Sequence, residues 1–470
     1  MSQTRRQFLR TSACALGSMA FASQIEKFGI VHALTPQAAT DYKALVCVFL
    51  NGGNDGNNML VSLDQYTQYS NARSAAQLAL AQASLLPVSP VSGGSYGFHP
   101  NMPEMKALFD SGKLAVLCNN GPLVEPLTRT TYQNGTGKKP LQLFSHSDQV
   151  GLFQTSIANS VSQTGWGGRL ADKTAILNGV ATFPSNVSIA GINLFLTGVD
   201  TRQLAVADSN TSLANVLVLS NAPGGPTTAE INSRLAAFNE IRSFDHNFKL
   251  IKAASDTRSS AIATDNALSN VNPVLNTAFP NPTTSIGRQL LQVARLIKAS
   301  TDPAAGINMK RQIFFVQIGG FDTHSAQLNG QGTLLQQLSQ AINAFFNATV
   351  ELGLQDKITL FTMSDFGRTL QPAGSGTAAV GSDHAWGNHH LIVGGAVLGH
   401  TLYGTYPNLT LGGPDDTDGG SSPRGRWIPT TSVEQYAATL ATWYGLSSAD
   451  LSAVFPLISR FSTPNLGFLA

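Results

Sequence analysis

Residues 316–327 read VQIGGFDTHSAQ. An apolar run, 313–318, stops at two glycines, and an acid, a hydroxyl and an imidazole follow as Asp322, Thr323 and His324. A turn uses the glycines for their conformational freedom but does not need three reactive side chains together. In an extended segment positions i and i+2 face the same way, so Asp322 and His324 can address one ion. Carboxylates and neutral imidazoles are ordinary ligands of divalent metals. Three further segments carry the same residue types. NGGNDGNN (51–58) holds Asp55, SDFGRT (364–369) holds Asp365 and Arg368, and GSDHAWGNHH (381–390) holds Asp383, His384, His389 and His390. Each has a plain alternative. GGNDG also reads as a turn, Asp365 as the cap of a helix starting at Phe366, and His389 and His390 as core histidines beside a strand.

These segments share one kind of place. ALVCVFL (44–50) and KITLFTM (357–363) are continuous apolar runs, as expected of strands covered on both faces, and each leads straight into its acid. KLAVLC (113–118), RQIFFVQI (311–318) and HLIVGGAV (390–397) read as further strands. Helical spacing marks 102–110, 285–300, 333–354 and 432–446, with another helix starting near SHSDQ (145–149). Alternating strands and helices predict an α/β fold with a mostly parallel central sheet between helices. In such sheets ligands bind beyond the carboxyl ends of the strands, which is where these acids and histidines fall.

The bulk numbers are compatible with that. The chain has 470 residues, 42% hydrophobic and only 12% charged, with a net charge of +2, so there is no basic footprint for nucleic acid. TRRQFLR (4–10) followed by a short apolar stretch reads as a twin-arginine export signal, with cleavage near 22–33. The stretch is too short for an ordinary membrane span. The expected organisation is a signal peptide and linker over 1–40 and one α/β domain over 41–470. Within that domain, polar and irregular residues 185–285 form an insertion or cap that includes a long helical pattern, 228–255. The mature protein is expected in the periplasm or secreted, with no membrane span. Cys47 and Cys118 fall in predicted strands, as buried thiols or as one disulfide.

Taken together, the twin-arginine start, FLNGGNDGNNMLV, SHSDQ, TGWGGRL, GGFDTH, SDFGRT and GSDHAWGNHH resemble a twin-arginine-exported bacterial family called domain of unknown function fifteen-zero-one. That family is placed in the alkaline phosphatase and sulfatase superfamily. The resemblance implies an alkaline-phosphatase-like three-layer sandwich with divalent metal (Zn, Mn, Mg or Ca), one or two ions, at the strand ends. It implies metal roles for Asp55, Asp322, His324, Asp365 and His384, although the spacing here is Asp-x-His, and Phe366 stands where a second-site histidine is expected. Ser145, at a helix start, resembles the superfamily's nucleophile, with His146 assisting proton transfer or, like Asn54, helping a second ion, and Arg368 either binding the anion or pairing with a neighbouring acid; capping by Ser145 with Asp148 is the alternative. The implied function is hydrolysis of a small anionic phosphate or sulfate ester. The alternative is a non-catalytic relative serving an exported protein partner.

Overall fold

A computed structural model describes residues 38–179, 183–213, 273–279, 284–302, 307–374 and 380–470, with isolated positions at 229, 230, 233, 236, 240 and 268. The twin-arginine segment and most of the helical pattern over 228–255 lie outside the described residues.

The main sheet has nine strands among the described residues. In chain order they are β1 (Lys43–Leu50), β5 (Leu114–Gly121), β6 (Asn186–Ser188), β7 (Gln203–Ala205), β8 (Arg311–Ile318), β9 (Ile358–Ser364), β12 (Asn388–Val393), β13 (Thr401–Gly404) and β14 (Thr431–Ser432). A three-stranded sheet of β2 (Leu60–Ser62), β3 (Leu86–Val88) and β4 (Tyr96–Phe98), and a pair of β10 (Arg368–Pro372) and β11 (Ser382–His384), lie apart from it. The main order is β13-β5-β12-β9-β1-β8-β6-β7, with β14 on β5. All pairings are parallel except those of β12, which runs antiparallel between β5 and β9.

β1 is apolar from Ala44 to Leu50 because both of its faces are covered there. Val46, Val48 and Leu50 pack with the helices Ser285–Thr301 and Gln327–Glu351. Leu45, Cys47 and Phe49 pack with Trp166, Leu170 and the helix Val433–Tyr444. The result is the expected three-layer sandwich, with each fully buried aliphatic or aromatic side chain contributing ~1.5–3 kcal/mol. Cys47 and Cys118 are free and buried in the two different cores, on opposite faces of the sheet, so the disulfide alternative is excluded.

The alternative of a helix starting at Phe366 is not taken up: β9 runs to Ser364, and β10 follows as a strand from Arg368. Within residues 185–285, β6 and β7 extend the main sheet beside β8.

Register explains the site's location. Leu50 pairs with both Ile318 and Ser364, so three parallel strands end in line. The antiparallel β12 starts at that same end, so the residues preceding it arrive there too.

Candidate metal centre

Beyond the ends of β1, β8 and β9, three ligand atoms from distant chain segments gather. His146, Asp322 and His384 each offer one ligand atom, and these atoms lie within 4.8 Å of one another. His146 opens the helix His146–Thr155, Asp322 follows the two glycines after β8, and His384 ends β11.

Each imidazole is held by its Nδ1 edge. His146 Nδ1 lies 2.7 Å from Asp365 Oδ2, a fully buried carboxylate whose other oxygen accepts the Gly52 N–H at 2.9 Å. His384 Nδ1 lies 2.8 Å from the Phe144 carbonyl. A carbonyl only accepts, so His384 carries its proton on Nδ1 and presents Nε2 as a lone pair. A carboxylate imposes the same tautomer on His146. The Nε2 atoms then face the Asp322 carboxylate, at 3.4 Å for His146 and 3.6 Å for His384. His146 Nε2 is buried and has no hydrogen-bond partner. Metal-ligating histidines are oriented in this way: one ring nitrogen is held by a carboxylate or carbonyl while the other is free to donate electrons. An orphaned, buried Nε2 beside a carboxylate and a second Nε2 fits a divalent cation.

His324 stands at the solvent edge. Its Nε2 is 3.1 Å from Asp322 Oδ1 and 2.9 Å from His384 Nε2. Its Nδ1 is 3.3 Å from Asp383, which in turn pairs with Arg424 at 2.5 Å. The i, i+2 geometry read from the sequence therefore does put Asp322 and His324 side by side.

The surroundings set the charge state. Partial burial pushes the Asp322 carboxyl up, but the Arg368 hydrogen bond and charge, then His324 and His146, outweigh it and hold it below the usual carboxylate range. Burial lowers the His384 imidazole, opposed by the Phe144 hydrogen bond and reinforced by the charges of His146, Arg368 and His324, which favours the neutral, ligating form. The Phe366 ring lies beneath both imidazoles, with centroids 4.7 Å from His146 and 4.6 Å from His384, and forms an apolar floor.

The glycines of the first loop make this packing possible. Gly52, at φ 113°, would bring a Cβ within 2.4 Å of the Asp322 amide nitrogen, and a Cβ on Gly53 would strike the Phe366 ring at 2.4 Å. Phe144 adopts φ 71°, rare for an aromatic residue, and in doing so aims its carbonyl at His384. Arg426 lies over the Phe144 ring at 5.0 Å and donates from Nε to the His384 carbonyl at 3.2 Å, closing a ring of three contacts around that ligand.

The other residues singled out in the sequence sit differently. Asp55 does not join the group. Its buried carboxylate accepts from Arg73, Asn57 and Gln327 and caps the short helix Gly56–Met59. Asp365 supports His146 rather than facing the cluster itself. Arg368 is fully buried, and its guanidinium donates to the carbonyls of Gly52, Gly53 and Ser382 and to Asp322, so it fastens the site together from behind. The Ser145 hydroxyl turns to Asp148 at 2.6 Å. His389 accepts the Asn119 N–H and stacks on Tyr406, and His390 stacks on Tyr436, as core histidines do.

His146, read from the sequence as assisting proton transfer or helping a second ion beside Asp55, stands instead with Asp322 and His384. The signal for its metal role is only its position after a helix-starting serine. Arg73 carries none, since nothing local marks it as the partner of Asp55.

Among solved structures the chain is similar to Ps i-CgsB in complex with k-i-k-neocarrahexaose, at 9% identity over 90% of this chain and 78% of that one, with a TM-score of 0.33. It is similar to the PsFucS1 sulfatase from Pseudoalteromonas sp., at 9% identity over 83% and 68%, TM-score 0.29, and to a mutant of the alkaline phosphatase PafA, at 10% over 71% and 64%, TM-score 0.24. Likenesses this distant carry no inference about activity. No curated protein matches the chain. A family model does match, over residues 42–413, and by that match the chain belongs to the family described as Protein of unknown function (DUF1501).

Proposed function

We propose that the chain is an exported, metal-dependent hydrolase of phosphate or sulfate esters. One observation carries the reading: two imidazoles with fixed Nδ1 protons turn their Nε2 lone pairs onto one carboxylate, and one of those Nε2 atoms is buried without a partner. His146, Asp322 and His384 would hold a divalent cation, which when bound polarises an ester oxygen and eases deprotonation of the attacking group.

The chain's own residues do the rest. Asp365 and the Phe144 carbonyl fix the ligand tautomers, and Arg368 fixes Asp322. Phe366 keeps water from beneath the imidazoles. The helix His146–Thr155 starts without a side-chain cap, so the amides of its first turn favour an anion. Two nucleophiles are open to the reaction: water, or the Ser145 hydroxyl, whose proton already points to Asp148. The paired arginines at 5 and 6 support export through the twin-arginine pathway. Among the described residues no helix is long and apolar enough to cross a membrane.

The second reading is a non-catalytic relative that keeps one structural ion and serves an exported partner. The engagement of Asp55 and Arg368 by other groups favours it, since neither is open to an ion or a substrate anion. The two readings separate in one experiment. The protein is purified, its metal content measured, and phosphate monoesters, phosphate diesters and sulfate esters are screened. Metal and turnover both lost in Asp322→Ala is the expected result. Bound metal with no turnover on any ester would establish the second reading, and no metal after reconstitution would remove the site.

A further inference from the structure

The resemblance to the alkaline phosphatase superfamily implies up to two ions, with Asp55 as a ligand of the second. The residues fit the first ion and do not fit the second. The Asp55 carboxylate receives five donors. Arg73 reaches it twice, Nη1 to Oδ2 at 2.5 Å and Nη2 to Oδ1 at 3.1 Å. The Asn57 backbone and side-chain nitrogens donate to Oδ1 at 3.1 and 3.0 Å, and Gln327 Nε2 donates to Oδ2 at 2.5 Å. A carboxylate offers about four lone-pair positions, so none is left for a metal.

Arg73 is equally committed. Its other donors go to Asn58 Oδ1 at 2.6 Å, the Thr369 carbonyl at 3.0 Å and the Leu370 carbonyl at 3.0 Å. All five guanidinium N–H groups are used, and both side chains of the pair are fully buried. A guanidinium cannot be deprotonated in a protein, so this charge is permanent. Two carboxylate oxygens, two carbonyls and an amide oxygen around one cation make an oxygen cage of the kind a hard metal ion occupies. Here an arginine side chain fills it.

We infer that the protein binds a single ion, at His146, Asp322 and His384, and that Arg73 takes as a resident organic cation the place at Asp55 where a second metal would sit. The inference rests on the metal centre proposed above and adds its stoichiometry. It also makes Asp365 a positioning residue of that one ion, because its two oxygens serve His146 and Gly52.

The test strips the full-length protein with a chelator, reloads it with excess Mn²⁺ alone or Zn²⁺ alone, removes unbound metal and measures ions per chain. Wild type is expected to hold one ion with either metal, Asp55→Asn still one, and Asp322→Ala none. Two ions per wild-type chain, or loss of an ion in Asp55→Asn, would overturn the inference. The wild-type count needs no variant to fold, so it decides the matter alone if Asp55→Asn is unstable. One ion without ester turnover leaves the stoichiometry standing and overturns the hydrolase. Two ions with turnover does the reverse, and no ion at all overturns both.

Discussion

Replacing Asp365 by Asn removes a charge without changing the side chain's size. The native carboxylate accepts twice, from Gly52 N–H at 2.9 Å and from His146 Nδ1 at 2.7 Å. An amide has one accepting oxygen and one donating nitrogen, so it can satisfy only one of these donors. If the oxygen stays with Gly52, the amide NH₂ faces Nδ1 and drives the imidazole proton to Nε2, the atom that must donate electrons to the ion. If the oxygen turns to His146, a buried N–H of Gly52 meets an NH₂. The first outcome should weaken metal affinity by about 10- to 100-fold, the usual effect of losing a group that orients a ligand, or ~1.4–2.7 kcal/mol at 1.36 kcal/mol per tenfold. The second outcome should instead cost the fold ~1–3 kcal/mol, because the buried Gly52 N–H is left unmet. Affinity is measured by competition with a chromophoric chelator, and the His146 tautomer by nitrogen NMR. A dissociation constant within twofold of wild type, with His146→Ala losing the ion outright, would refute the claim that Asp365 acts through His146.

Other outcomes follow from the same geometry. Arg73→Met leaves the Asp55 charge buried and unpaired, and should cost ~3–5 kcal/mol in a denaturant titration. Gly52→Ala forces a Cβ against the Asp322 backbone at a positive φ and should lower both melting temperature and metal affinity, whereas Gly93→Ala, with open space around it, should leave metal affinity unchanged. Burial holds His99 and His389 down to about 4 and His390 to about 3, while burial pushes Glu434 up to about 8. Between pH 4.5 and 6 the unfolded chain thus binds three more protons at the histidines and one fewer at Glu434. Stability, measured in chelator, should therefore rise with pH across this window, at a slope approaching ~2.7 kcal/mol per unit. His390→Phe keeps the stack on Tyr436, removes two unpartnered ring nitrogens and should make the slope shallower. A slope identical to wild type would show that His390 titrates normally.

Much of this arrangement is legible in the sequence. Continuous apolar strands, each ending in an acid, fix both the parallel sheet and the end at which chemistry gathers, and Asp322 with His324 is a purely local pattern. What escaped the sequence is long-range partnering. Asp55 and Asp365 look alike as acids after buried strands. One meets Arg73 and the other His146, and only the packed fold decides which. Arg368 reads equally as an anion binder or as the partner of a nearby acid, because an arginine's exposure cannot be read from its neighbours, and the fold pairs it with Asp322. Phe366 looked like a missing ligand, yet it packs as the floor under the two imidazoles.

The three candidate ligands come from a helix start, a turn and the end of a short strand, with four of the main sheet's nine strands lying between them in sequence. An unfolded chain offers little more than the Asp322–His324 pair, a poor chelate. A cation held by these three residues, as proposed, would bind once the sandwich has closed, as a lock on finished architecture rather than a seed for it. Nearly all of its binding energy then adds to the folded state's advantage, so a melting temperature that climbs with the concentration of free metal would report assembly directly.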